Sequence, residues 1–218
     1  MHKLNTGGPE AWAFVPEGTP HAAVYLPTES PEFASGVFEL IKTCCVLVGV
    51  RTSDWFSDLS PWPAPSVGRS PSFGGRADSF LGAVLKNVVP AAESELGTEG
   101  LPKCIAGYSL AGLFAIWAAI SSGEFDYAVS ASGSMWYPGF TGFVSEASID
   151  PVFKRAYLSL GNKEPLSKAF STAGKDMEAV ASMLRGKGVE TFCEWNRGNH
   201  FADNELRTAK GIDRILAK

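Results

Sequence analysis

The feature that most constrains this chain is Ser109, in the run Lys103-Cys104-Ile105-Ala106-Gly107-Tyr108-Ser109-Leu110-Ala111-Gly112-Leu113. A short apolar run enters the serine and a longer one, Leu110 to Ile120, leaves it. Gly107, Ser109 and Ala111 alternate, and Gly112 follows. The pattern predicts a strand, a sharp turn carrying the serine, and a helix. Small residues two positions either side let the strand and helix backbones pass close together. The turn lifts the hydroxyl over the end of a sheet. It also places it at a helix N-terminus, where free N–H groups and the helix dipole favour developing negative charge.

The rest of the chain supplies a matching frame. Strand-like segments at Ala11–Val15, Ala22–Leu26, Cys44–Val50, Tyr127–Ser130, Arg155–Leu160 and Glu190–Trp195 alternate with helix-like ones. The unbroken Cys44–Val50 run suits a strand buried on both faces, and the charged Glu190 and Glu194 place the last strand near an edge. Helices are predicted over Pro31–Lys42, from Asp78 or Ser79 to a stop at Pro90, over Leu110–Ser121, from Pro165 to Gly186 or Gly188, and over Asp203–Leu216. The Pro- and Gly-rich stretch Arg51–Gly75 reads as one long functional loop. Such alternation implies right-handed crossovers and a mainly parallel sheet with helices on both faces, a three-layer α/β sandwich. At 218 residues, one domain over 1–218 is the simplest division. Only Ala131–Val152 separates the Tyr127 strand from the next, which leaves no room for a large cap.

Composition narrows the function classes. A net charge of −4 without a basic stripe argues against nucleic acid and against an anionic membrane surface. No apolar stretch is long enough to span a bilayer. The N-terminal segment lacks the apolar core of a secretory signal, so a cytoplasmic location is expected. The four cysteines fall in apolar runs without a C-x-x-C, so no zinc or redox pair is expected. Nothing sets an oligomeric state.

Ligands bind beyond the carboxyl ends of strands in open α/β sheets. Ser109, then Glu164, then His200 each follow a strand there, in the hydrolase order nucleophile, acid, base. Of three histidines, His2 is terminal and His21 opens a strand at the opposite end, so His200 is the candidate general base. Glu164 is the candidate acid. Asn162 sits nearer the strand end and cannot carry charge, so a Ser–His pair without a third member remains an alternative. The oxyanion donors are expected at the Leu110 amide and in the loop after Val50, at Arg51, Thr52 or Ser53. An inward-pointing Arg51 would also suit an anionic group on a substrate. Aromatic side chains gather at the same edge as candidate substrate contacts: Tyr108, Trp55, Phe56, Trp62, Trp136 and Tyr137.

Val48-Gly49-Val50-Arg51-Thr52-Ser53-Asp54-Trp55, Asp58-Leu59-Ser60-Pro61, Phe73-Gly74-Gly75-Arg76-Ala77-Asp78-Ser79-Phe80-Leu81, the Ser109 turn and Ser132-Gly133-Ser134-Met135-Trp136-Tyr137 occur in serial order. Together they resemble the esterase D-like branch of the α/β hydrolases, which contains the enterobactin and salmochelin esterases. The resemblance spans about residues 44 to 205. It implies an α/β-hydrolase fold, Ser109 as nucleophile, His200 as base, and hydrolysis of a small-molecule ester through an acyl-enzyme without cofactor or metal. Two departures stand out: a short leading segment, and Glu164 where an aspartate is usual. Acyl transfer to an alcohol is the second enzymatic reading. A non-catalytic binding protein is the third, and it would need a spoiled elbow or a missing histidine.

Overall fold

The structure is a computed structural model, which describes residues 1–68 and 70–217. Among them, eight strands form one sheet. In chain order these are β1 (His2–Lys3), β2 (Ala11–Phe14), β3 (Ala23–Thr28), β4 (Val46–Arg51), β7 (Lys103–Tyr108), β8 (Tyr127–Ala131), β9 (Arg155–Gly161) and β10 (Glu190–Asn196). A separate two-stranded ribbon pairs β5 (Pro63–Ala64) with β6 (Phe73–Gly74). The main sheet runs β1-β2-β4-β3-β7-β8-β9-β10, and every pairing from β4 to β10 is parallel. Within this sheet only the β1–β2 and β2–β4 pairings are antiparallel.

Alternate side chains on the central strands feed two cores. Tyr25, Val48, Ile105 and Leu158 face one side, packed with α3 (Ala77–Ala83), α5 (Leu110–Ser122) and α7 (Ala173–Gly186). Val24, Leu47, Ala106 and Tyr157 face the other, under α1 (Pro31–Leu40) and α8 (Asn204–Leu216). Helix α5 is buried from Leu110 to Ile120, as an all-round apolar helix must be. Between β8 and β9 lies only the short α6 (Phe140–Glu146), so no cap covers the strand ends. No helix among the described residues is long and apolar enough to cross a membrane.

Three expectations need correction. Pro90 does not stop its helix: a π-helical turn, Val84–Val88, links α3 to α4 (Val89–Leu96), with Pro90 in α4's first turn. The π turn, in which the Val89 amide donates to Val84 O, widens the helix just where the proline lacks an N–H to give. The chain after β9 does not enter a helix at Pro165. It makes two 3-10 turns, Glu164–Leu166 and Lys168–Phe170, and α7 begins at Ala173. The cause is Glu164, whose carboxylate turns back to accept the Gly161 amide at 2.7 Å. Finally, the Arg51–Gly75 stretch is not structureless. It holds the ribbon and α2 (Trp55–Asp58), capped by Asp54, which accepts the Ser57 amide at 3.2 Å.

Candidate active site

Ser109 joins β7 to α5 with φ 59° and ψ −120°, a left-handed backbone that costs a non-glycine residue about 1–3 kcal/mol. Its surroundings hold it there. The Ser109 amide donates to Ala131 O at 3.0 Å, and its carbonyl accepts from Gly112, Leu113 and Ser134 at 3.0–3.2 Å. The turn is tight enough that a Cβ on Gly107 would lie 2.1 Å from the Ala111 carbonyl oxygen. The glycine is therefore a steric requirement of the elbow.

His200 follows β10, and its Nε2 lies 3.0 Å from Ser109 Oγ. On the other side of the ring, Nδ1 lies 2.7 Å from Glu164 Oε2. The distances suit an Nδ1–H donated to the carboxylate, leaving Nε2 to accept from the serine hydroxyl. Glu164 is buried, and its other oxygen accepts the Gly161 amide and lies 3.4 Å from Arg207 Nη1. Asn162, the alternative considered for the acid, is engaged elsewhere: its Oδ1 accepts the Gly198 amide at 3.0 Å. That bond and the Lys163 amide on Gly198 O at 3.0 Å tie the acid's loop to the histidine's loop.

The oxyanion expectations divide. The Leu110 amide, in the first turn of α5, has no acceptor among the described residues. Arg51 and Thr52 are different. The sheet ladder continues past Val50, so the Arg51 amide donates to Glu10 O at 2.8 Å and the Thr52 amide to Thr28 O at 3.0 Å. The Ser53 amide donates to Asp58 Oδ2 at 2.8 Å. Nor does the Arg51 guanidinium point inward. It pairs with Glu10 at 2.9 Å and lines a separate depression beside Arg76. In that loop the Trp55 and Phe56 amides, at the head of α2, have no acceptor among the described residues.

Ser109, Leu110, Glu164 and His200 line a cavity of about 460 Å³. Its apolar walls are Trp55, Phe56, Val67, Phe73, Trp136 and Phe170, and Phe201, 81% exposed, stands at its rim beside the His200 ring. Trp55 and Trp136 thus lie where the sequence reading put them. Tyr108, Trp62 and Tyr137 do not line the cavity. The Tyr108 hydroxyl donates to the His200 carbonyl, and burial holds its phenol above the ordinary value, which keeps it a donor. Trp62 Nε1 donates to Pro138 O at 2.9 Å and Tyr137 donates to the Trp62 carbonyl, so this pair packs the loop instead. Phe170, Phe201, Lys163 and Arg207 were not anticipated. Phe201 and Lys163 carried a signal, as the neighbours of the candidate histidine and the candidate acid.

The mainly parallel sheet in this strand order, with a serine on the β7–α5 elbow, is the α/β-hydrolase fold. Solved structures agree on the fold. An IroE-like serine hydrolase from Shewanella oneidensis superposes with a TM-score of 0.79 at 20% identity, covering 98% of this chain and 78% of that one. The siderophore hydrolase EstA from Aspergillus nidulans gives 0.71 at 19% identity, covering 93% and 91%. The family model described as "Putative esterase" matches residues 39–209, and the chain belongs to that family, a family of hydrolytic enzymes. Among curated proteins, the uncharacterized protein YbbA of Bacillus subtilis strain 168 is 28% identical over 158 residues, 67% of this chain. The match spans 63% of YbbA, less than two thirds of that relative's length.

Proposed function

We propose that this hydrolase is a serine esterase that works through an acyl-enzyme on Ser109. His200 Nε2 takes the proton of the Ser109 hydroxyl as Oγ attacks the ester carbonyl. The Leu110 amide and an amide at the head of α2, Trp55 or Phe56, stabilise the oxyanion. His200 then protonates the departing alcohol, whose oxygen leaves with the C–O bonding pair. Water, deprotonated by the same nitrogen, attacks the acyl carbon and releases the acid and Ser109. Glu164 fixes the imidazole tautomer and stabilises the imidazolium. The observation that carries this reading is the hydrogen-bonded series Ser109 Oγ, His200 Nε2 at 3.0 Å, and Glu164 Oε2 at 2.7 Å from Nδ1. The aromatic walls suit an aryl or bulky apolar group on the ester, and an uncapped cleft admits one. The siderophore hydrolases among the structural relatives make a catecholate ester a sensible member of any substrate panel.

A fluorophosphonate tests the nucleophile directly. Mass mapping is expected to place the adduct on Ser109, and Ser109→Ala is expected to lower turnover of p-nitrophenyl acetate by about 10⁴ or more. An adduct on another residue, or unchanged turnover, refutes the assignment.

A further inference from the structure

We infer that Arg207 is a positioning residue that acts on the reaction through Glu164, an inference that rests on the Ser109–His200–Glu164 reading. Arg207 lies in the first turn of α8 and is only 3% exposed. A guanidinium buried to that degree needs its donors satisfied and its charge countered. Both needs are met by the loops that build the site. Nη1 donates to Ser132 Oγ at 2.9 Å and lies 3.4 Å from Glu164 Oε1, and Nη2 donates to Arg197 O at 2.9 Å. Ser132 follows β8, Glu164 follows β9, and Arg197 opens the loop that ends in His200. Arg207 therefore fastens the acid's loop, the histidine's loop and the loop whose Ser134 amide holds the Ser109 carbonyl.

The cradle has no slack. A Cβ on Gly161 would meet Gly198 O at 2.5 Å, Glu164 Oε1 at 2.8 Å and Arg207 Nη1 at 3.1 Å, and one on Gly198 would lie 3.2 Å from Arg207 Nη2. With Oε2 given to His200, Oε1 has the Gly161 amide and the Arg207 guanidinium as neighbours. The nearby cation supplies the counter-charge for a carboxylate whose side chain is 7% exposed, and its Nη1, with the Gly161 amide on the same oxygen, restrains the direction from which that carboxylate meets Nδ1. Arg207 does not line the cavity, so it acts on the substrate indirectly, and of the three residues it meets Glu164 is the one in contact with the imidazole.

A double-mutant cycle on p-nitrophenyl acetate tests this. Arg207→Met is expected to lower kcat by about tenfold or more, with KM changed by less than about threefold. Arg207→Lys, which keeps the charge without the fork, recovers part of the loss. In a Glu164→Gln background, Arg207→Met is expected to cost less than about threefold, because the partner it acts through is gone. Wild-type kcat in Arg207→Met, or the same fold loss in both backgrounds, overturns the inference and leaves Arg207 as a loop fastener only. Should Arg207→Met fail to fold by near-ultraviolet circular dichroism, Arg207→Lys is carried through the same cycle, with a few-fold loss expected that vanishes beside Glu164→Gln. Full turnover in Glu164→Gln alone brings down the triad reading itself, and this inference with it. A large loss there with none in Arg207→Met brings down only the inference.

Discussion

Adding one methyl group at two glycines should move stability in opposite directions. At Gly107 a Cβ would sit 2.1 Å from the Ala111 carbonyl oxygen, 2.2 Å from its carbon and 2.7 Å from its Cβ. Relaxed contacts begin near ~3.4 Å, so the overlap exceeds about 1 Å and falls on backbone. Neither side yields easily: β7 is hydrogen-bonded on both edges and α5 is buried through eleven residues, Leu110 to Ile120. Overpacking costs typically 1–3 kcal/mol and more where backbone must shift, so Gly107→Ala should destabilise by about 3–4 kcal/mol. For a chain of this length that lowers Tm by about 10 °C. Relief of the clash must displace Ser109, and a displacement near 1 Å costs about a hundredfold in turnover. Gly82, in α3, is exposed with nothing within 4 Å of an added Cβ, so Gly82→Ala should stabilise by about 0.5–1 kcal/mol and raise Tm by about 2 °C. Urea titrations followed by tryptophan fluorescence, with kcat measured on the same samples, read both effects. A Gly107→Ala variant within about 0.5 kcal/mol of the parent and fully active would refute the account of the elbow.

Two further expectations concern Asp58, between β4 and α3, and Phe170, between β9 and α7. Burial works against the Asp58 carboxylate, but the Asp54 amide, the Ser53 hydroxyl and amide, and Arg76 outweigh it and hold its pKa below the ordinary 3.8. Asp58 therefore contributes stability above pH ~4 that is lost as pH falls through its depressed folded value. Asp58→Asn should lower the urea midpoint at pH 7 and approach the parent as the pH drops to 3, and a gap constant across that range contradicts the reasoning. Phe170, whose ring centroid is 4.8 Å from that of Trp136, walls the cavity. Phe170→Ala should raise KM about tenfold for long-chain or aryl p-nitrophenyl esters and less than about twofold for the acetate. Equal changes for both would move the acyl group elsewhere.

The parts legible in the sequence are those set by local pattern. Val46–Val50 is apolar without a break and lies buried on both faces of a parallel sheet. The glycine–serine–alanine alternation at 107, 109 and 111 marks the elbow, and so few histidines leave little choice at position 200. What escaped the sequence reading depends on distant partners. Arg207 and Arg214 stand on one helix, yet the first is buried because Ser132, Glu164 and Arg197 meet it, while the second lies over the Phe192 ring. The amides of Arg51 and Thr52 are consumed by a ladder whose register with Glu10 and Thr28 is a tertiary fact. Tyr108 and Tyr137 look like cleft aromatics until their hydroxyls find backbone carbonyls, which turns both rings into supports. Pro90 reads as a stop only while the helix is assumed to stay α throughout.

The strand that carries Ser109 also holds His200. The serine's orientation is set by its own backbone, through the Ala131 carbonyl and the three amides on its carbonyl, and not by packing around a side chain of two heavy atoms. His200 comes from a loop 91 residues further along, and such a loop would ordinarily wander by more than a hydrogen bond tolerates. Here the residue just before the serine, Tyr108, donates its hydroxyl to the His200 carbonyl and packs its ring 5.4 Å from the imidazole. Ser109 and His200 are thus referred to one strand end, and relative motion between them must strain β7 itself. Glu164, carried three residues past the end of β9, needs fastening of another kind, because no hydrogen bond from β7 reaches it. The buried guanidinium on α8 and the Asn162–Gly198 bond supply that fastening, and they explain how an acid at the start of a 3-10 turn keeps a fixed place beside the ring.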